Sequence, residues 1–249
     1  MNVMQRAGAS APLEVRISDK TYAGADGGAV QAVKGLALTC PAQTCTALVG
    51  PSGCGKTTIL RIIAGLDSKF TGEVSFAGAP MAQARIGFIF QEPTLLPWRT
   101  VEDNIRLAAP GLSDQALTSL LAQAEIADIG PRFPGELSLG LARRVSIVRA
   151  IAAKPDLLLL DEPFVSLDEA TAKTLRALVG RILDSEAVTA ILVTHDLREA
   201  VELADQIITL SPRPARAKSH RQIPTPRTKR TPAMRKKLLG QIERGTKSR

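Results

Sequence analysis

Residues 50–57 of this 249-residue chain read GPSGCGKT, which fits G-x-x-x-x-G-K-[ST] at every fixed position. No other stretch restricts the fold so far. Such a loop binds phosphate when a buried strand delivers it to a sheet edge and a helix leaves from it. Its backbone N–H groups and the positive end of the helix dipole then supply the binding. Both flanks are present: the apolar run TALV at 46–49 precedes the loop, and helix-spaced residues follow over Thr57–Ala64. Glycine lets the main chain approach an anion closely. Gly50, Pro51, Ser52, Gly53, Cys54, Gly55, Lys56, Thr57 and Thr58 are therefore expected to surround the phosphates of a nucleotide. Lys56 would reach the β- and γ-phosphates, and the Thr57 hydroxyl would hold Mg²⁺.

The rest of the pattern suits such a sheet. Ile86–Phe90, Leu157–Leu160 and Ala190–Val193 are, like Thr46–Val49, continuous apolar runs that suit strands covered on both faces. Gln206–Leu210 is a fifth candidate. Helical segments at Thr57–Ala64, Asp168–Leu183 and Leu197–Ala204 alternate with them, which predicts α/β architecture with right-handed crossovers. Two more helical patterns, Ser113–Ile129 and Ser138–Ala152, predict a lobe inserted over about residues 99–153. Leu13–Ser18, Ala29–Thr39 and Gly72–Phe76 read as a small antiparallel element, and residues 1–11 as a loose leader.

No run approaches the ~20 apolar residues of a membrane span, and the first 15 residues lack the apolar centre of a secretory signal. A membrane role must then come by docking. Cys40, Cys45 and Cys54 are an odd number without metal-type spacing, which suits a reduced setting. The net charge of +8 is lopsided, because residues 211–249 hold 13 Lys or Arg against one acid, Glu243. That stretch reads as a separate basic tail, either a solvated appendage or a face for anionic headgroups. Thr231-Pro232 would open a short helix in it over Met234–Glu243. No aromatic interleaving accompanies the charge, so no nucleic-acid partner is expected.

LLLLDEP at 157–163 ends a buried run in two carboxylates. Beside the phosphate loop, Asp161 would support Mg²⁺, and Glu162 would act as general base or position the attacking water. His195 follows the run AILVT, so a third parallel strand would bring it to the edge where ligands bind in open α/β folds. A solvent-facing turn and a structural histidine are the plainer alternatives for these residues taken singly.

In this order the motifs resemble the ABC-type ATPases, from Tyr22 to about Pro214. Gln91, after IGFIF, resembles the Q-loop glutamine, and LSLGL at 137–141 stands where the family signature LSGGQ belongs. Ser166-Leu167-Asp168 resembles the D-loop and VTHD at 193–196 the switch-histidine segment, while Tyr22 stands where an aromatic stacks on adenine. The resemblance implies a P-loop nucleotide hydrolase over about residues 12–210. Its parts would be a RecA-like parallel sheet core, an antiparallel β subdomain and an inserted helical subdomain. It implies that Gln91 joins Lys56, Glu162 and His195 in catalysis and contacts Mg²⁺. Two copies would meet head to tail, with Ser138 and Gly140 of one closing on ATP held by the other and Asp168 at the seam.

QEPTLLPWRTVEDNI at 91–105 and the run Leu210–Pro214 resemble the ATPases of importers for nitrate, sulfonate and taurine-like anions. Transmembrane permease subunits would be direct partners and a substrate-binding protein an indirect one, with the chain peripheral on the cytoplasmic face of the membrane. Trp98 reads as a buried anchor of the lobe or as a permease contact. Leu139 and Leu141 depart from the signature, and a side chain at 139 would hinder backbone approach or a φ > 0 conformation. That departure supports a rival reading, a module that holds ATP without hydrolysing it. A non-transport ATPase of this kind usually carries two ATPase halves or a coiled-coil insertion, and this chain has one phosphate loop and neither extra.

Overall fold

A computed structural model describes residues 12–24 and 27–247, so the leader over 1–11 lies outside the described residues. The chain opens with Leu13–Ala23 (β1) and Ala29–Cys40 (β2), followed by Cys45–Val49 (β3), Lys56–Ile63 (α1), Thr71–Phe76 (β4) and Ala79–Pro80 (β5). β1 pairs antiparallel with β2 on one side and β4 on the other, giving a four-stranded sheet in the order β2-β1-β4-β5. Alternation in the sequence becomes alternation in burial: Leu13, Val15 and Ile17 face the core, while Glu14, Arg16 and Ser18 are exposed.

The chain then runs through Ile86–Ile89 (β6) into the inserted helices Val101–Ala108 (α2), Asp114–Gln123 (α3) and Leu139–Ala152 (α4). It returns as Leu157–Asp161 (β7), Glu169–Ser185 (α5), Thr189–Thr194 (β8), Leu197–Leu203 (α6), Gln206–Leu210 (β9), Ala217–Gln222 (β10) and Pro232–Lys247 (α7). The second sheet has the order β10-β9-β3-β8-β7-β6, parallel from β9 to β6. Every residue of β3, β7, β8 and β9 is buried, as their continuous apolar runs demand. β6 is different: it lies at the edge of the sheet and only Gly87 and Ile89 are buried.

In the helical insert, α4 packs on α2 and on β6 through a core that includes Val101, Ile105, Val145 and Val148. The fully buried Asn104 accepts from Leu96 N at 2.8 Å and donates to the carbonyls of Leu96, Arg99 and Thr100. These bonds fix the loop before α2, and Trp98 at its tip is left 71% exposed, not buried as an anchor.

The basic segment also departs from expectation. It was set apart from the domain as a tail, yet β10 pairs antiparallel with β9 and extends the core sheet. Buried Ile223 and Ile242 join the main core, and α7 packs on α6. Two arginines explain why. Arg227 Nη1 lies 2.6 Å from Asp205 Oδ2 and also donates to Leu203 O, while its other nitrogens reach Asp184 and Leu183 O. Arg230, 4% exposed, donates to Thr225 O at 2.8 Å, Val201 O at 2.9 Å and Ala204 O at 2.7 Å. The last carbonyls of α5 and α6 have no partners within their own helices, and these guanidinium groups supply the donors. Arg230→Met should therefore lower the unfolding free energy by roughly 3 kcal/mol, since buried carbonyls lose charged donors. Lys218→Ala, on the exposed face of β10, should stay within about 0.5 kcal/mol; urea denaturation of both variants checks the contrast.

Candidate functional site

The phosphate loop leaves β3 and enters α1 through Gly55, whose φ of 116° is left-handed. A Cβ there would lie 2.7 Å from Ala32 O, so residue 55 needs glycine both for its conformation and for the close approach of β2. The first turn of α1 holds no acidic residue that would offset its positive end. Lys56 is buried, and its ammonium donates to Gly50 O at 2.9 Å and Pro51 O at 3.0 Å. The same nitrogen stands 3.2 Å from Glu162 Oε1.

Parallel pairing fixes what stands beside the loop. Val49 lies opposite Thr194, and Asp161 opposite Val193, so β3, β7 and β8 end side by side. Asp161 accepts from the Thr57 hydroxyl at 3.1 Å. Burial pushes the Asp161 carboxyl above its ordinary range, and the Thr57 hydrogen bond opposes this. Glu162 continues the ladder by one step, its N–H donating to Val193 O at 2.9 Å, and then turns away with a φ of 44°. That conformation is strained for a glutamate and is common at functional sites. It sets the carboxylate between two nitrogen-bearing side chains: Oε1 at 3.2 Å from Lys56 Nζ, and Oε2 at 3.0 Å from His195 Nδ1. The loop carrying His195 is held in turn by Thr194, whose hydroxyl donates to Glu199 and accepts from Asp196 N.

A cleft of about 320 Å³ lies over this edge. Its walls include Ser52, Gly53, Gly55, Lys56, Thr57, Thr58, Gln91, Glu162 and Tyr22, all anticipated from sequence. Val30, Ala32 and Arg213 line it as well and were not anticipated. Arg213 follows β9, and its place just past the carboxyl end of a parallel strand was the available signal. The Tyr22 hydroxyl donates to Asp67 at 2.8 Å, and the Lys20 ammonium stands 4.3 Å from the ring centroid. Cys54 is buried beneath the loop.

Ser138, Gly140 and Asp168 are not among the walls of this cleft. Ser138 caps α4, accepting from Leu141 N, and Asp168 caps α5, accepting from Thr171 N. A Cβ on Gly140 would come 2.7 Å from Thr171 Cγ2, so glycine lets the two helix starts abut. Leu139 is the first residue of α4 and has no positive φ, so its backbone conformation costs nothing unusual; its side chain is 43% exposed. Arg143, further along α4, is a buried cation that sequence reasoning passed over. It donates to Pro163 O at 3.0 Å and Val165 O at 3.1 Å, and so ties α4 to the turn that carries Glu162.

An anion cradle, a paired lysine and carboxylate, and a second carboxylate bonded to a loop hydroxyl form the chemical equipment of a P-loop nucleotide hydrolase. Comparison with known proteins narrows the class. Residues 33–165 match the ABC transporter family. An aliphatic sulfonates import ATP-binding protein of Burkholderia cenocepacia, SsuB 2, is 39% identical over 98% of this chain and 92% of its own length. One from Bacillus cereus is 40% identical over 80% of this chain and 83% of its own. A dimeric ATP-binding cassette in a post-hydrolysis state, bound to ADP and Pi, superposes with a TM-score of 0.74 at 28% identity, over 86% of this chain and 99% of that one. The chain belongs to the ABC transporter family, as an ATP-binding subunit that hydrolyses ATP.

The raised pKa of Asp161 has a consequence for stability. A carboxyl whose folded pKa exceeds its unfolded value opposes folding above the folded pKa, and the penalty recedes as pH falls through it. Asp161→Asn keeps an acceptor for Thr57 and removes the charge. It should raise the melting temperature of the nucleotide-free protein at neutral and alkaline pH, with the gain shrinking as pH falls toward the ordinary carboxylate range; scanning fluorimetry across pH tests this.

Proposed function

We propose that this ATPase powers import of an aliphatic sulfonate, working as a head-to-tail pair of copies on membrane permease subunits. The pairing rests on one observation: Ser138 and Gly140 sit at the start of α4, outside the cleft that their own chain forms around Lys56. A helix N-terminus with a hydroxyl cap is suited to phosphate, so a second copy can complete each site. Solved relatives described as dimeric support self-association. Sulfonate, among the anions expected from sequence, is favoured by the names of the relatives. No helix among the described residues is long and apolar enough to cross a membrane, so attachment would come through permease subunits at its cytoplasmic face. Trp98, exposed on the inserted lobe, suits that contact.

In this reading the Lys56 ammonium leaves the carbonyls of Gly50 and Pro51 for phosphate oxygens when ATP binds. Glu162 is then freed to orient the attacking water and accept its proton, with His195 holding the other carboxylate oxygen. Gln91 reaches the cleft from the end of β6. Thr57 and Asp161 offer adjacent hard oxygen donors. No cluster of three or more His, Cys, Asp or Glu among the described residues could hold a metal alone. That fits Mg²⁺, which is commonly held by one or two protein oxygens and the substrate's phosphates. Bound there, Mg²⁺ would offset negative charge on the β- and γ-phosphates.

Glu162→Gln should cut phosphate release by at least ~100-fold and should form dimers with ATP that are absent without it, seen by size-exclusion chromatography with light scattering. A monomer at every ATP concentration would count against the head-to-tail pair. Because Leu139 is helical and has no positive φ that would call for glycine, Leu139→Gly should leave turnover unchanged; a large rise would mean that the leucine throttles the site.

A further inference from the structure

Arg213 lines the nucleotide cleft beside Ser52, Gly55 and Lys56. We propose that its guanidinium binds the phosphate chain of the nucleotide, as a second cation beside Lys56. The inference rests on the ATP-site reading given above.

The backbone that carries Arg213 is fastened to the wall of the phosphate loop. Between β9 and β10, Ser211 N donates to Arg216 O at 2.9 Å, and Arg216 N returns a bond to the Ser211 hydroxyl at 3.0 Å. That hydroxyl also lies 2.8 Å from the carbonyls of Pro212 and Pro214. Ala215, fully buried, donates to Ala32 O at 2.8 Å and accepts from Lys34 N at 3.2 Å. Its Cβ would be only 3.3 Å from a Cβ placed on Gly55. The turn over 211–216 therefore sits against the residue that opens α1, and a side chain two positions earlier is carried on a fixed frame. The backbone beneath the guanidinium is thus already ordered, and the ordering cost of binding falls on the side chain's own rotamers.

Charge makes the assignment specific. Arg227, Arg230 and Arg235, from the same basic segment, are bonded to carboxylates or carbonyls. Among the described residues Arg213 has no ion pair or hydrogen bond. Lys56, the other cation of the cleft, already faces Glu162 at 3.2 Å. A polyphosphate entering the cleft thus meets one cation offset by a carboxylate and one that is not. Guanidinium matches phosphate with parallel N–H donors and is more weakly hydrated than ammonium, so it suits this task. Removing a merely solvated arginine at the rim would leave the binding of every ligand unchanged.

The test is equilibrium binding of ATP, ADP and adenosine to the full chain, by calorimetry in EDTA so that nothing is turned over. Arg213→Ala should weaken ATP and ADP roughly 5- to 10-fold, the effect of one charge-assisted bond at a partly exposed site. Adenosine should bind as before, the difference should shrink as salt is raised, and Arg213→Lys should recover part of the loss. An equal loss for adenosine, or no loss for any ligand, overturns the proposal. Lys56→Ala measured alongside separates the two readings. If it weakens ATP while Arg213→Ala does not, this inference fails and the nucleotide site stands; if the unaltered chain binds neither ATP nor ADP, both fall.

Discussion

Three parallel strands stop side by side, and everything chemical in this molecule depends on their register. With Val49 opposite Thr194 and Asp161 opposite Val193, the phosphate loop, the carboxylate pair and the histidine loop leave the sheet as neighbours. Side chains alternate along a strand, so a slip of one residue in β7 would turn Asp161 away from Thr57. It would also take the Glu162 N–H from Val193 O, the bond beside its left-handed backbone. Burial on both faces is what holds the register, because β3, β7 and β8 have no solvent-facing residue to trade.

That same burial made the core legible before any coordinates. Continuous apolar runs of four or five residues read as sheet strands when a phosphate loop follows one and two acids follow another, although the run at 86–90 became the half-covered edge strand β6. The composition of the cleft followed from the same reasoning for Lys56, Thr57, Gln91 and Glu162. Charge counting misleads for the basic segment around Arg227 and Arg230, because it assumes that a cation seeks water. Arg227 and Arg230 instead serve helix ends, and which carbonyls need donors depends on tertiary contacts that no local pattern records. Trp98 was ambiguous for a similar reason: its exposure is set by the hydrogen bonds of Asn104 to the loop around it.

Arg143 is the costliest of the buried cations to account for by stability alone. It is 3% exposed and faces main-chain carbonyls, without a carboxylate in bonding distance among the described residues. A buried ion is weak support for stability, whereas its directional bonds specify one geometry well. Here the geometry specified is the position of the 162–165 turn relative to α4, whose first residues do not line the chain's own cleft. The close approach of Gly140 to Thr171 is a second point at which α4 meets the segment that follows this turn.

β9 has a neighbour on each side, β3 made long before it and β10 made just after. All five of its residues are buried, whereas β10, the outer strand, reads AKSHRQ and is mostly exposed. A charged strand at the rim discourages other chains from adding to the sheet. During synthesis, however, one edge of β9 leaves its N–H and C=O groups unpaired until Ala217–Gln222 follow it. The closing segment therefore acts on the nascent chain as an edge guard, and the risk of aggregation is concentrated in the interval between the two strands leaving the ribosome.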